Sequence, residues 1–222
     1  MPFIQSLENT LLENSHPENA VVMAKYMRNH FSFYGIKTTE RRAILKFFWK
    51  EYTTEITENS RTIAWNLFNK SQRELHYCGI EIVVKELKNN YQIDNIELIE
   101  KFIITNSWWD SVDTISKYIL GDYLLEYPTE TTKVIERFSN SENIWLNRSA
   151  ILFQLSYKQK TNFDLLKYVC EKHKKSNEFF IQKAIGWALR EYYKTNPETV
   201  KKFVSKAKLK PLSQKEALKN FF

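Results

Sequence analysis

The stretch ELHYCGIEIVVKEL, residues 74–87, decides the fold class. Leu75, Cys78, Gly79, Ile82 and Val83 fall at i, i+3, i+4, i+7 and i+8, which is one face of an α-helix. The same period recurs outward in both directions. It predicts helices over 3–14, 17–30, 39–53, 59–69, 72–89, 94–105, 108–126, 129–138, 143–157, 162–174, 177–194, 197–206 and 213–221. Start signals accompany several of them. Ser71 with Glu74, Ser213 with Glu216 and, more weakly, Ser107 with Asp110 have capping-box spacing. Asn196-Pro197 is a cap followed by proline at the first helical position, and Pro17 opens another helix.

Composition agrees. Gly and Pro together number 9 of 222 residues, about 4% against roughly 12% in average usage. Turn formers are too scarce for a many-stranded sandwich or barrel. The chain is 43% hydrophobic and 15% aromatic, enough for a sizeable core and unlike a disordered chain. Two cysteines, Cys78 and Cys170, make neither a disulfide framework nor a four-cysteine zinc site. The first residues lack a basic n-region and an apolar h-region, and no apolar run nears the ~18 residues of a membrane span. The expectation is a soluble, cytoplasmic, all-α protein. No linker divides it, so one domain, 1–222, is expected. Helix pairs repeating at spacings of roughly 35–45 residues point to a HEAT-like α-α superhelix with a concave surface, and a compact bundle is the alternative.

Charge is uneven. The net charge is +7. Residues 158–175 carry +4 and residues 201–219 carry +6, leaving −3 elsewhere. A basic last third fits a polyanion such as nucleic acid, and fits equally a solubilising lysine surface.

Two segments stand out for chemistry. In TNSWWDSVD (105–113), Trp108, Val112, Ile115 and Ile119 form a core stripe. Trp109 and Asp113, at i and i+4, share an adjacent stripe, where an indole and a carboxylate would both favour a cation. The bland alternative is that Trp109 packs on a neighbouring helix and Asp113 pairs with a Lys or Arg. In EFFIQKAIGWALREYYK (178–194), Lys183, Trp187 and Arg190 share a face suited to a sugar-phosphate backbone, unless Trp187 is simply core. Gly186 in mid-helix signals close approach of a ligand or another helix. Arg148 heads the apolar row Ile151, Leu152, Leu155, and would either be salt-bridged or clamp a phosphate. Tyr26 lies near Arg28, His30, Arg41 and Arg42 in sequence, and Thr38 or Thr39 is placed to cap the next helix. The four histidines lack metal-ligand spacing, and no Walker, Rossmann or nucleophile-elbow motif occurs, so neither a metal nor another cofactor is expected.

The stretches AKYMRNHFSFYGIKTTERR, NSWWDSVD, IWLNRSAILFQLSYKQKT and FFIQKAIGWALREYYKTNPE resemble the bacterial DNA alkylation-repair glycosylases of the AlkD type, over almost the whole chain. The resemblance implies HEAT-like repeats with a basic groove for duplex DNA. It implies hydrolysis of the N-glycosidic bond of cationic alkylated purines, N3-methyladenine and N7-methylguanine. Asp113 would be the catalytic carboxylate, with Trp109 and Trp187 against the deoxyribose. Arg148 would contact the DNA backbone near the lesion. Tyr26 and Thr38 match further DNA contacts, and Lys158, Lys183 and Arg190 add basic ones. Where that family has a Trp late in its third helix, this chain offers Tyr52 or Trp49. The implied partner is duplex DNA with alkylated bases, bound by a monomer that needs no membrane and no obligate protein partner. A non-catalytic DNA-binding member of the same fold is the alternative.

Overall fold

The computed structural model describes residues 1–219. The chain divides into two compact units, Met1–Asn90 and Tyr91–Phe222.

The first unit holds α1 (Pro2–Glu13), α2 (Pro17–Tyr26), α3 (Thr38–Glu51), α4 (Thr53–Phe68) and α5 (Arg73–Leu87). The short 69–72 connection folds α4 and α5 into a tightly packed hairpin. Gly79 permits it, since a Cβ there would lie 2.6 Å from the Ala64 carbonyl. Leu75, Cys78, Ile82 and Val83 are buried as their spacing predicts, and so are Ile63, Leu67 and Phe68 of the α4 packed on this helix. Helix α4 begins six residues before the expected 59, because non-helical Asn59 kinks it rather than starting it. Thr57 Oγ1, Asn59 Nδ2 and Ser60 Oγ donate to carbonyls four residues back, the local bonding that bends helices.

Helix α2 stops at Tyr26 instead of residue 30, because Arg28 and Asn29 turn left-handed at φ 54° and 58°. The connection that follows is fixed by a buried carboxylate. Glu74 accepts from the backbone N–H groups of Tyr34 (3.1 Å), Gly35 (2.9 Å) and Ile36 (3.1 Å). It therefore does not close a capping box with Ser71; Gln72 is the N-cap residue and no side chain caps α5. Arg73, fully buried, lies 3.8 Å from the Phe31 ring centroid and 3.0 Å from His76 Nδ1. Helix α3 starts on Thr38 itself with Lys37 as N-cap, so the expected Thr38 or Thr39 side-chain cap is not made.

The second unit comprises α6 (Asn95–Ile104), α7 (Trp109–Ile115), α8 (Gly121–Glu126), α9 (Thr131–Ser139), α10 (Ile144–Leu152), α11 (Phe163–His173), α12 (Phe179–Tyr193), α13 (Pro197–Ala207) and α14 (Pro211–Ala217). Helices α7 and α8 are one run, joined by a π-helical turn at Ser116–Leu120. Helix α10 is the hub, packed by α6, α7, α9, α11 and α12. It ends at Leu152, five residues short of expectation, in turns that bring the Phe153 carbonyl to where a Cβ on Gly121 would meet it. Asn196 caps α13 through Thr199 N–H with Pro197 behind it, as the sequence indicates. The other two expected capping boxes are absent. Ser107 Oγ donates to the Ile103 carbonyl, and Ser213 Oγ donates to the Gln182 carbonyl of α12, because both hydroxyls are taken up by packing. Helix α14 starts at Pro211, and the end of the expected 213–221 helix lies outside the described residues.

Candidate active site

The site is built in the second unit. Trp108 is the N-cap of α7, largely buried, with its ring against Trp145 (centroids 5.6 Å apart) and Phe180 (5.0 Å). Val112, Ile115 and Ile119 continue that stripe into the core. Trp109 and Asp113 fall one turn apart on the adjacent face, both half-buried.

Asp113 does not stand exposed beside its tryptophan. Its side chain retains 13% of its surface and that of Arg148 retains 5%. The two form a two-pronged ion pair. Arg148 donates from Nε to Oδ1 at 2.7 Å and from Nη2 to Oδ2 at 2.8 Å. Its remaining arm, Nη1, donates to the carbonyl of Phe180 in the first turn of α12. The Nε/Nη2 edge of the planar guanidinium matches both carboxylate oxygens, and here that edge is used on the protein. Of the two roles the sequence left open for Arg148, a salt bridge or a phosphate clamp, the structure shows the salt bridge, made with Asp113. Buried at the hub helix, its head group orients Asp113 rather than reaching solvent.

Burial is the largest influence on Asp113 and pushes its carboxyl above the usual range. The hydrogen bonds and charge of Arg148 pull the other way, and Asp110 adds a further push upward. Three residues beyond Asp113, the Ser116 hydroxyl lies 2.8 Å from that of Ser149. Each is also bonded within its own helix, Ser116 to the Val112 carbonyl and Ser149 to that of Trp145. This buried polar pair sets the register of α7 against α10 next to the ion pair. Neither serine carries a sequence signature.

Helix α12 carries Trp187, half-buried, seven residues and about 10 Å along the axis from Phe180. Lys183 and Arg190 do flank it by one turn each way, but both are paired with Glu216 of α14. Lys183 Nζ lies 2.7 Å from Oε1, and Arg190 Nη1 lies 2.8 Å from Oε2 and 3.0 Å from the Glu216 carbonyl. The face expected to suit a sugar-phosphate backbone thus includes a carboxylate from another helix, and the triad carries a net +1. Gly186 answers to the helix and not to a ligand, because a Cβ there would lie 2.4 Å from Glu216 Cβ.

The remaining residues expected to bind DNA belong to both units. Lys158 is exposed, left-handed at φ 52°, and borders a cavity of about 190 Å³ lined also by Ile151, Leu155, Ala188 and Tyr192. Tyr26 and Thr38 belong to the first unit, both exposed, Tyr26 at 70%. Arg41, near them in sequence, is buried against Glu81 at 2.7 Å and Cys78, which removes it from any surface role. Tyr52 and Trp49 are both engaged within the first unit. The Tyr52 hydroxyl bonds Ser6 at 2.8 Å, and Lys85 Nζ sits 3.9 Å over the Trp49 ring.

A family of DNA alkylation repair enzymes matches residues 7–221. The chain belongs to the DNA alkylation repair enzyme family. A solved structure described as a predicted DNA alkylation repair enzyme from Enterococcus faecalis is similar, at 35% identity and a TM-score of 0.84, covering 93% of this chain and 96% of that one. No curated protein matches. Membership in the DNA alkylation repair enzyme family makes DNA the substrate and the repair of alkylation damage the role, carried on an all-α fold of the α-α superhelical repeat class. Among the described residues of this DNA alkylation repair enzyme, no helix is long and apolar enough to cross a membrane.

Proposed function

We propose that this chain is a DNA glycosylase of base excision repair that hydrolyses the N-glycosidic bond of cationic alkylated purines in duplex DNA. The observation that carries this reading is the Asp113 carboxylate, gripped on both oxygens by Arg148 and set one turn from Trp109.

An N3- or N7-alkylated purine already bears a positive charge. When the C1′–N bond breaks, the bonding pair goes to the base, which leaves neutral, so no acid is needed to protonate it. Positive charge grows on the deoxyribose instead. A carboxylate fixed in a largely dry setting opposes that charge without reorganising. Water adds to C1′, and its proton passes to Asp113 and then to solvent. A carboxyl lifted above its ordinary range by burial suits that step, while the hydrogen bonds and charge of Arg148 favour its ionised form beforehand. Trp109 and Trp187 add cation–π stabilisation of the sugar, roughly 0.5–2 kcal/mol each.

On this reading the enzyme works on the sugar and needs no pocket for an extruded base. The cavity beside Lys158 contains none of Trp109, Asp113 and Trp187 in its lining, which fits that arrangement. Bulkier cationic adducts are then substrates too. Tyr26, Thr38 and Lys158 contact the DNA backbone, the protein acts as a single-domain monomer, and neither metal nor other cofactor takes part. The test is release of free base from an N7-methylguanine duplex under single-turnover conditions. Release by the wild type and its loss in Asp113→Asn are expected; duplex binding without release would show a damage-recognition protein instead.

A further inference from the structure

A residue whose spacing suggested only a helix cap has a telling position against α12. Glu216 lies in the last turn of α14 and its side chain keeps only 10% of its surface. It takes Lys183 on one oxygen and Arg190 on the other. These cations sit four residues before and three residues after Trp187, on the same flank of the helix. The carboxylate thus spans the turn from which the indole projects. Its backbone is fixed too. Gly186 lets α14 approach until Glu216 Cβ occupies the space a side chain would need, Ser213 Oγ holds the Gln182 carbonyl at 2.9 Å, and Arg190 also holds the Glu216 carbonyl. Lys183 and Arg190 draw the Glu216 carboxyl below its ordinary range, Lys183 foremost, so it is ionised at neutral pH.

Resting on the glycosylase reading above, we propose that Glu216 is a positioning residue for the Trp187 face, and that it fixes Lys183 and Arg190 there at the expense of affinity for DNA. An enzyme optimised for grip alone would leave both cations to the phosphates. Here one of the two charges is cancelled from within. What the duplex meets is an indole whose flank is immobilised and a site charge of +1 instead of +2. Misplacing such a face matters, because about 1 Å of error at a reacting group costs up to roughly 100-fold in rate.

Two variants separate charge from placement. Glu216→Gln removes the negative charge. It is expected to bind undamaged duplex more tightly, with the slope of log K against log salt steeper by about 0.9, one more phosphate neutralised. Its saturating excision rate on N7-methylguanine duplex is expected to fall by roughly tenfold or more. Glu216→Asp keeps the charge but is a methylene too short to hold both cations. It is expected to keep the wild-type salt slope and still lose rate. In the DNA-free proteins the Trp187 indole N–H resonance, assigned with Trp187→Phe, is expected to move in both variants. A wild-type rate and an unmoved indole resonance in Glu216→Asp would overturn the positioning role. An unchanged salt slope in a folded Glu216→Gln would overturn the charge argument. If the wild type releases no base, the glycosylase reading fails by itself, and the resonance and salt slope still decide the role of Glu216.

Discussion

Arg148 holds both oxygens of Asp113, Nε to Oδ1 at 2.7 Å and Nη2 to Oδ2 at 2.8 Å, while its third nitrogen is anchored on the Phe180 carbonyl. One side chain thereby ties α7 to the first turn of α12 through the hub helix α10. The carboxylate's rotation is fixed by a fork, which a single point charge cannot do.

Arg148→Lys keeps the charge and loses the fork. The single-turnover excision rate is expected to fall by roughly ten- to a hundredfold, as for a misplaced reacting group. If Arg148 serves Asp113 and not a phosphate, the salt dependence of duplex binding should stay at the wild-type value. Loss of affinity with a shallower salt slope would return Arg148 to the DNA backbone.

The pH profile follows from the same pair. Burial raises the Asp113 carboxyl and Arg148 opposes the rise. The active form is the carboxylate, so activity should fall on the acid side at a pH above the ordinary Asp value. Removing Arg148 removes an influence that lowers the pKa. In Arg148→Ala the acid limb of excision should therefore move to higher pH. The stability sign is opposite to that of a depressed carboxyl. Ionising Asp113 costs the folded state, and that cost is relieved as pH falls through its raised folded value. An acid limb that does not move between wild type and Arg148→Ala would separate Asp113 from the rate.

Asp113→Asn should abolish detectable excision, a loss of at least about 100-fold for one preorganised electrostatic group. It should also cost stability, contrary to what an exposed carboxylate would give. The buried Arg148 loses one of its two carboxylate acceptors and the charge that neutralises it, a loss of about 1–3 kcal/mol. At about 2–4 °C per kcal/mol for a chain of this size, a melt should show it. An unshifted melting temperature would mean that the ion pair opens in solution.

The sequence made the helices legible because their apolar stripes repeat at helical period, and it marked Trp109, Asp113 and Trp187 by their spacing. What it hid were partners brought in from far along the chain. Arg148 lies 35 residues from Asp113 and Glu216 lies 26 from Arg190. An arginine at the head of an apolar row reads equally as a phosphate clamp or a buried partner, and only its neighbours decide. Lys183 and Arg190 look like two cations because the carboxylate between them is supplied by another helix. Ser213 and Glu216 have capping-box spacing, yet packing against α12 claims both side chains. The early end of α2 had a weaker signal, since Arg28 and Asn29 give little warning of two left-handed residues.

Gly186→Ala tests the α12–α14 contact from the other side. The new methyl would lie 2.4 Å from Glu216 Cβ and 2.8 Å from the Ser213 carbonyl. Helix propensity favours alanine by about 1 kcal/mol, and overpacking against backbone costs about 1–3 kcal/mol. A net loss is expected because Ser213 and Glu216 cannot both retreat while holding Gln182, Lys183 and Arg190. Urea unfolding should show a lower midpoint. A stabilised variant would mean that α14 is free to shift.

The last prediction concerns lesion charge. Both oxygens of Asp113 accept from Arg148, which favours the carboxylate over a proton-bearing acid and so leaves no donor for a leaving base. Cationic N7- and N3-alkylpurines leave neutral and need none, whereas uracil and hypoxanthine leave as anions unless protonated. Each ~1.36 kcal/mol of missing leaving-group activation costs tenfold, so the gap in rate should span several decades. One duplex sequence carrying N7-methylguanine, a bulky cationic N7 adduct or uracil makes the comparison direct. Both cationic lesions should be released and uracil retained. Rapid uracil release would reveal an acid that the geometry around Asp113 does not provide. Release of the methylated base alone would keep the electrostatic step and show that the adduct is confined, ending the claim that the base stays outside a pocket.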